Sequence, residues 1–160
     1  MKMIVSAAAL AAAFVATPAV AQDAASFEGA RVGATLGLAD DDLFGTEEFT
    51  YGAEVGYDFA AGDKAIVGFT AELQKSDDID RELAISARAG VPVGSSALLY
   101  GTVGYTNLEV LDIKLDGVKF GVGGEIKLGT NGYAKLEQRY ADYELDVHYW
   151  QTLIGAGFRF

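Results

Sequence analysis

Apolar and polar side chains alternate along most of the chain, which is the period-two pattern of a strand with two unlike faces. The second segment shows this most clearly, because the odd-numbered residues from Phe49 to Phe59 are apolar, while the residues between them are small, polar or charged. A shift by one residue would invert every side chain, so the segment has one register. Seven further segments repeat the pattern, and their apolar faces begin at Ala30, Val67, Leu83, Leu99, Val118, Ala134 and Trp150.

The connections between these segments alternate in length. Short stretches rich in Gly, Pro, Asn, Asp and Ser occupy 60–64, 92–96 and 129–132 and predict tight turns. Longer acidic stretches occupy 39–48, 75–81, 107–116 and 141–146 and predict loops at the opposite end. The sequence therefore predicts an all-β fold, an eight-stranded antiparallel up-and-down transmembrane β-barrel with both ends on the periplasmic side.

The alternation also fits a soluble lipocalin-like barrel or sandwich with its apolar face inside, and the composition of the polar face favours the membrane barrel. That face combines glycine with both signs of charge. Glycine is a poor residue for a solvent-facing strand, whereas in a narrow barrel it leaves room for charged side chains that pair across the lumen. The predicted structural charge network of the lumen is Arg31, Glu54, Glu72, Glu82, Arg88, Lys119, Glu125, Lys135, Glu137 and Arg139, with Lys127 and Arg159 on the same face. Bulky lumen side chains are expected to cross at Gly121, Gly123, Gly155 and Gly157.

Aromatic residues are grouped near the ends of the predicted strands, as in the two girdles of a transmembrane barrel. The periplasmic group is Tyr57, Phe59, Phe158 and Phe160, and the outer group is Tyr51, Tyr105, Tyr140 and Trp150. In a soluble β protein the same residues would be ordinary core aromatics.

The first residues predict export. Lys2 precedes an apolar, alanine-rich stretch at 4–15, and Ala19-Val20-Ala21 has the small-x-small pattern of a cleavage site. We expect a signal peptide over 1–21, cut before Gln22, and one barrel domain over 22–160. An uncleaved membrane helix is disfavoured because alanine is weakly apolar and Pro18 interrupts the stretch. The chain contains no cysteine, so a closed hydrogen-bonded barrel must replace disulfides.

Charge limits the classes of function. The formal net charge is −11, which disfavours a nucleic-acid partner because neutralising phosphates requires a basic surface. No cofactor is predicted. The acidic runs at 40–42, 47–48 and 77–80 lack the ligand spacing of a calcium loop, and they are interpreted as solvated loops rather than divalent-cation sites.

His148 is the single histidine, so a metal cluster based on imidazole is excluded. A lipid A-modifying enzyme would have this one candidate base, but a serine mechanism also needs a nearby serine and an orienting carboxylate. Ser76 is the serine expected at the same rim. We therefore interpret His148 as a rim residue and predict no enzymatic activity.

The ending Gly155-Ala156-Gly157-Phe158-Arg159-Phe160 resembles the C-terminal signal by which assembly machinery recognises outer-membrane barrels, with Phe158 and Phe160 as its aromatic residues. Together with the glycine-rich motifs at 29–33, 52–57 and 121–125, it makes 22–160 similar to the opacity-protein-like and outer-membrane-protein-A-like family of small porin-like barrels. The resemblance implies a Gram-negative outer membrane, contact with its lipid and lipopolysaccharide, and the barrel-assembly machinery as a partner during biogenesis.

The resemblance also limits the expected role. The sequence ends at Phe160 without a peptidoglycan-binding domain, and its loops are shorter than those of typical adhesins, so neither wall anchoring nor host-cell binding is expected. We expect a monomeric porin-like barrel with a role in envelope integrity or surface properties. A narrow ion-conducting pore and a lipid A-modifying enzyme are the alternatives.

Overall fold

Eight antiparallel strands form one closed barrel, in which neighbours in the chain are neighbours in the sheet. The computed structural model describes residues 23–41, 47–76, 81–110, 113–143 and 148–160, so the predicted signal peptide lies outside the described residues. The strands are β1 (Gly29–Asp41), β2 (Glu47–Ala60), β3 (Ile66–Lys75), β4 (Arg81–Val93), β5 (Ala97–Val110), β6 (Ile113–Leu128), β7 (Gly132–Tyr143) and β8 (His148–Arg159). The predicted fold class and up-and-down order are confirmed.

The sheet closes where β1 pairs with β8. Val32 lies opposite Phe158 in this antiparallel seam, and the Phe160 amide donates to the Ala30 carbonyl at 2.8 Å beyond the last strand residue. Closure leaves no unpaired edge, which is a requirement for a sheet in hydrocarbon. No described helix has the length and apolar character needed to cross a bilayer.

The two faces of the strands lie as the alternation predicts. Apolar side chains point outward, and the most exposed along the middle of the strands include Ile85 at 68% and Val122 at 66%. Polar side chains point inward, and Glu54 is 1% exposed. An exterior of this kind suits lipid rather than water, because monomeric soluble proteins rarely expose large continuous apolar surfaces.

Aromatic rings make contact near both ends of the outer surface. In the outer group the rings of Tyr140 and Trp150 have centroids 5.1 Å apart. In the periplasmic group Tyr57 lies 4.6 Å from Phe59, which lies 6.4 Å from Phe69 on the next strand. These positions agree with two predicted girdles.

The three short turns lie at one end of the barrel. Each contains a glycine with positive φ, namely Gly62 at 74°, Gly94 at 65° and Gly129 at 66°, a conformation that favours glycine. The same end carries a 3-10 turn formed by Ala24–Phe27, which precedes β1 and which the sequence pattern did not predict. Its Ala24 amide donates to the Asp63 carbonyl at 3.1 Å. We call this segment, with its flanking residues Asp23 and Glu28, the N-terminal turn.

The acidic stretches predicted as loops are too long, because β1 extends to Asp41, β2 begins at Glu47 and β7 extends to Tyr143. The difference is largest at 107–116. Residues 107–110 belong to β5 and 113–116 to β6, so the strands continue through most of the acidic stretch. Asn107 lies opposite Asp116, and their side chains share a 2.7 Å hydrogen bond. The strands extend because Leu108, 5% exposed, continues the inward face in an apolar cluster against which Leu115 packs.

Candidate functional site: the charged lumen

The interior of the barrel holds a balanced set of buried charges. Within the described ranges, six acidic and six basic side chains are buried: Glu54, Asp58, Glu72, Glu82, Glu125 and Glu137, with Arg31, Arg88, Lys119, Lys135, Arg139 and Arg159. All ten residues of the predicted network lie here. Because an unpaired buried charge is costly, equal numbers of the two signs allow the lumen to be neutral. Lys127, expected on this face, is partly exposed at the periplasmic end.

The periplasmic part of the network is centred on Asp58. Its Oδ2 lies 3.1 Å from Arg31 Nε, 3.0 Å from Arg159 Nη1 and 3.7 Å from Arg88 Nη1. Glu125 is the second carboxylate, at 2.7 Å from both Arg88 Nη2 and Arg159 Nη2. The alternation placed Asp58 on the inward face, but its position next to a turn hid its role in the network. Three guanidinium groups share two carboxylates in this cluster.

Glu54 connects the periplasmic and central parts of the lumen. It accepts a hydrogen bond from Tyr133 Oη at 3.0 Å and one from Lys135 Nζ. Arg31 Nη1 lies 3.5 Å from the same carboxylate. Glu54 and Lys135 come from β2 and β7, so this ion pair crosses the lumen.

The central part is built on Arg139, which binds two carboxylates. Its Nη1 and Nη2 donate to Glu72 at 2.6 and 2.8 Å, the bidentate geometry of a strong arginine–carboxylate pair. Its Nε donates to Glu137 at 2.7 Å, and Tyr100 Oη donates to Glu137 at 2.8 Å. All three nitrogens of the Arg139 guanidinium therefore donate to carboxylates.

The outer part is centred on Glu82. Its carboxylate accepts from Thr106 Oγ1 at 2.8 Å, Tyr143 Oη at 3.1 Å and Tyr149 Oη at 3.0 Å. It also pairs with Lys119 Nζ. Four donors around one carboxylate hold it charged inside the barrel.

Apolar clusters lie at both ends of the charged region. The periplasmic cluster contains Ala24, Phe27, Ile66, Leu98 and Tyr100. The outer cluster contains Ala39, Leu108, Ala141, Tyr143 and Tyr149. A cavity of about 10 Å³ lies within the network between them, which is the room of roughly one water molecule.

Glycines provide the space for these side chains, as the sequence predicts. A Cβ atom on Gly121 would lie 2.7 Å from Glu137 Oε1, and one on Gly123 would lie 2.7 Å from Tyr100 Oη. On Gly155 it would lie 2.9 Å from Lys135 Cε, and on Gly157 it would lie 2.7 Å from Tyr133 Oη.

The other candidate residues lie away from the lumen. His148 shares the outward face of β8 with Trp150, and its ring lies 6.2 Å from that of Tyr140. Ser76 Oγ donates to Glu48 at the outer rim. In the part of the chain that the structure describes, no three His, Cys, Asp or Glu residues are grouped so as to hold a metal ion. Residues 77–80 and 42 lie outside that part.

Phe158 and Phe160, the predicted assembly signal, lie on the lipid-facing surface and are 60% and 75% exposed. Their recognition by assembly machinery stays a prediction. Between them Arg159 points into the lumen, so the end of β8 presents aromatic rings outside and a buried cation inside.

A closed sheet with an apolar exterior and a charged, paired interior defines a class of protein, the integral outer-membrane β-barrels. The chain belongs to the outer membrane protein beta-barrel domain family, whose model matches residues 7–160. Its location is therefore the outer membrane.

Solved structures of small barrels share this fold. Neisserial surface protein A is 14% identical, with a TM-score of 0.55 over 82% of this chain and 96% of that chain. Ail, the attachment invasion locus protein of Yersinia pestis, is 17% identical, with a TM-score of 0.57 over 83% and 99%. The N-terminal β-barrel domain of Pseudomonas aeruginosa OprF is 18% identical, with a TM-score of 0.57 over 81% and 97%. No curated protein matches this chain significantly.

Proposed function

We propose that this protein is a closed, non-enzymatic barrel that contributes to the integrity or surface properties of the outer membrane. One observation carries the proposal: the lumen is filled by a neutral, paired charge network with an apolar cluster at each end. In this role the barrel acts as a monomer in contact with membrane lipid and lipopolysaccharide through its apolar exterior.

The filled lumen argues against steady conduction. An ion needs a continuous wet path, whereas the cavity inside the network holds about one water molecule. Opening a path would break buried pairs such as Glu54–Lys135 and Glu72–Arg139, and removing one partner of such a pair costs about 3–5 kcal/mol. The porin-like alternative, a narrow pore, is favoured by the charged lining, since rings of charge set selectivity in channels.

Planar-bilayer recording of the refolded barrel distinguishes a closed barrel from a pore. We expect no steady single-channel current from the wild type. Steady currents that are abolished by Arg88→Gln or Lys135→Gln would contradict the proposal and establish the pore. Arg81→Gln is the matched control, because Arg81 also lies on β4 but is ion-paired with Glu109 on the outer rim, 39% exposed at its side chain.

The proposal of a non-enzymatic role rests on the surroundings of His148. Its ring packs near Tyr140 on the outward face, as expected for an aromatic rim residue. The test compares the lipid A of a deletion strain with that of strains complemented by wild type or His148→Ala. Altered lipid A that the wild type restores and His148→Ala does not would establish the enzyme instead.

An envelope role predicts a phenotype that does not depend on His148. The deletion strain should become more sensitive to detergents and to large hydrophobic antibiotics, and both wild type and His148→Ala should restore resistance equally. A deletion strain with unchanged permeability and surface properties would contradict the proposed role.

A further inference from the structure

The N-terminal turn occupies the periplasmic mouth of the barrel. Phe27 is fully buried, in a cluster with Ile66 and Leu98 from the barrel wall. Asp23 caps the turn by accepting from the Ala25 amide at 3.1 Å. The chain thus enters the barrel mouth before it begins β1, although nothing in the strand ladder requires this path.

Cations outnumber carboxylates at this mouth, and Phe27 offers them two further electron-rich groups, its carbonyl oxygen and its ring. Arg31, Arg88 and Arg159 share Asp58 and Glu125, while Glu54 is shared by Arg31 and Lys135. Lys127 adds a further positive charge. Arg159 Nη1 donates to the Phe27 carbonyl. The Lys127 ammonium lies 4.1 Å from the centre of the Phe27 ring, which is cation–π geometry. Phe27 therefore binds two cations with its carbonyl and its ring face.

The N-terminal turn takes no part in the hydrogen-bond ladder of the sheet, which begins at Gly29. Its link to the first short turn is the hydrogen bond from the Ala24 amide to Asp63, while every strand pairs with both neighbours without it. Departure of the turn would break no ladder bond between β1 and β2 or between β1 and β8. It would uncover Leu98 and the Asp58 cluster, while the central pairs of Arg139 stay in place.

We propose that residues 23–28 form a periplasmic plug, which can leave the mouth while the barrel stays folded. Its departure opens the periplasmic part of the lumen to water-soluble molecules of the periplasm. Departure of the plug removes Ala24 and Phe27 from the periplasmic cluster, while the central ion pairs and the outer cluster stay in place and keep the barrel closed. The departure of the plug therefore exposes a cationic vestibule without creating a pore through the barrel.

Thiol accessibility tests the plug directly, because the chain has no cysteine. Leu98→Cys places a thiol in the buried cluster that contains Phe27, and an anionic methanethiosulfonate is the probe. We expect slow labelling of Leu98→Cys in the refolded barrel and labelling faster by on the order of a hundredfold when Phe27→Ala is added, since opening then loses a buried aromatic contact. Ser95→Cys, on an exposed turn, should label fast in both backgrounds.

Two further variants keep the test decisive. Phe69→Ala removes the same ring from the lipid-facing surface, where Phe69 is 52% exposed, and should leave Leu98→Cys protected. Lys127→Gln weakens the cation–π contact and should give an intermediate labelling rate. Ala60→Cys, packed against the same cluster, serves as a second probe position.

Three results would overturn the proposal. Leu98→Cys could label as fast as Ser95→Cys with Phe27 intact, which would show an open mouth. Its protection could survive both Phe27→Ala and Lys127→Gln, which would show that the turn covers nothing. Phe27→Ala could abolish the heat-modifiable folded band on a detergent gel, which would make the turn part of the barrel rather than a plug. Conductance recording of Phe27→Ala separates this proposal from the proposed function, because the plug predicts open access without current.

Discussion

At the scale of single residues, the lumen depends on carboxylates that each serve several donors. Glu82 shows the consequence most simply, because in the described part of the chain it is the one carboxylate in an ion pair with Lys119. Tyr143 and Tyr149 also donate to it. Lys119 is 3% exposed, so it has no access to bulk water if its partner is lost.

Glu82→Gln is expected to lower the free energy of unfolding by about 3–5 kcal/mol, because it leaves a buried ammonium unpaired. The measurement is a urea titration of the refolded barrel in detergent micelles, followed by Trp150 fluorescence. Glu109→Gln is the matched control, since its pair with Arg81 is partly exposed and such pairs contribute about 1 kcal/mol or less.

A double variant separates charge from packing in this experiment. Glu82→Leu combined with Lys119→Met removes both charges, and it should recover part of the stability that Glu82→Gln loses. Equal destabilisation by Glu82→Gln and Glu109→Gln would show that the buried pair does not stabilise the barrel.

At the scale of the strands, the seam between β1 and β8 is shaped by glycine. Gly33 lies directly opposite Gly157, and the Tyr133 hydroxyl fills the space that side chains would take. A Cβ on Gly33 would lie 2.5 Å from this hydroxyl, and one on Gly157 would lie 2.2 Å from the Val32 carbonyl oxygen. The seam therefore joins two strands and also makes room for Tyr133, whose hydroxyl donates a hydrogen bond to Glu54.

Gly157→Ala is expected to destabilise or prevent closure, since real Cβ atoms do not approach a backbone oxygen so closely. The measurement is the fraction of protein that shows the heat-modifiable band after refolding, together with its urea midpoint. Gly101→Ala is the control, because the nearest atom to its Cβ would be 3.7 Å away. A Gly157→Ala barrel as stable as Gly101→Ala would contradict the proposed role of the seam.

The sequence was informative about strands because each one has two environments, and inward residues such as Glu54 differ sharply from outward ones such as Val55. It was uninformative where a feature has no period. The 3-10 turn at Ala24–Phe27 is too short to show one, and its position depends on cations from strands far along the chain. Asn107 and Asp116 resemble loop residues, yet they face outward on strands whose inward leucines keep them in register.

At the scale of the whole molecule, the exterior must match the thickness of the bilayer. Val122 lies near the middle of β6 and is 66% exposed. Leu128 is the last residue of the same strand and is 50% exposed. The two residues share the outward face but lie at different depths.

Val122→Arg is expected to lower the free energy of unfolding in lipid vesicles by about 2–4 kcal/mol, because a charge at the bilayer midplane is costly. Leu128→Arg should cost about 0–1 kcal/mol at the periplasmic interface. The comparison uses urea titration of both variants in the same vesicles. Equal costs at the two depths would contradict the membrane orientation of the barrel.

Several ion pairs of the lumen join strands that are not neighbours in the sheet. Glu54 on β2 meets Lys135 on β7, Glu72 on β3 meets Arg139 on β7, and Arg88 on β4 meets Glu125 on β6. Some pairs lie within one hairpin or one strand, such as Arg31–Asp58 and Arg139–Glu137. The cross-lumen pairs form only when distant strands meet, so a half-built sheet in hydrocarbon would carry unpaired charges on its inner face. We therefore expect insertion and closure to be coupled, because Arg159 on β8 reaches its carboxylate partners on β2 and β6 only in the closed barrel.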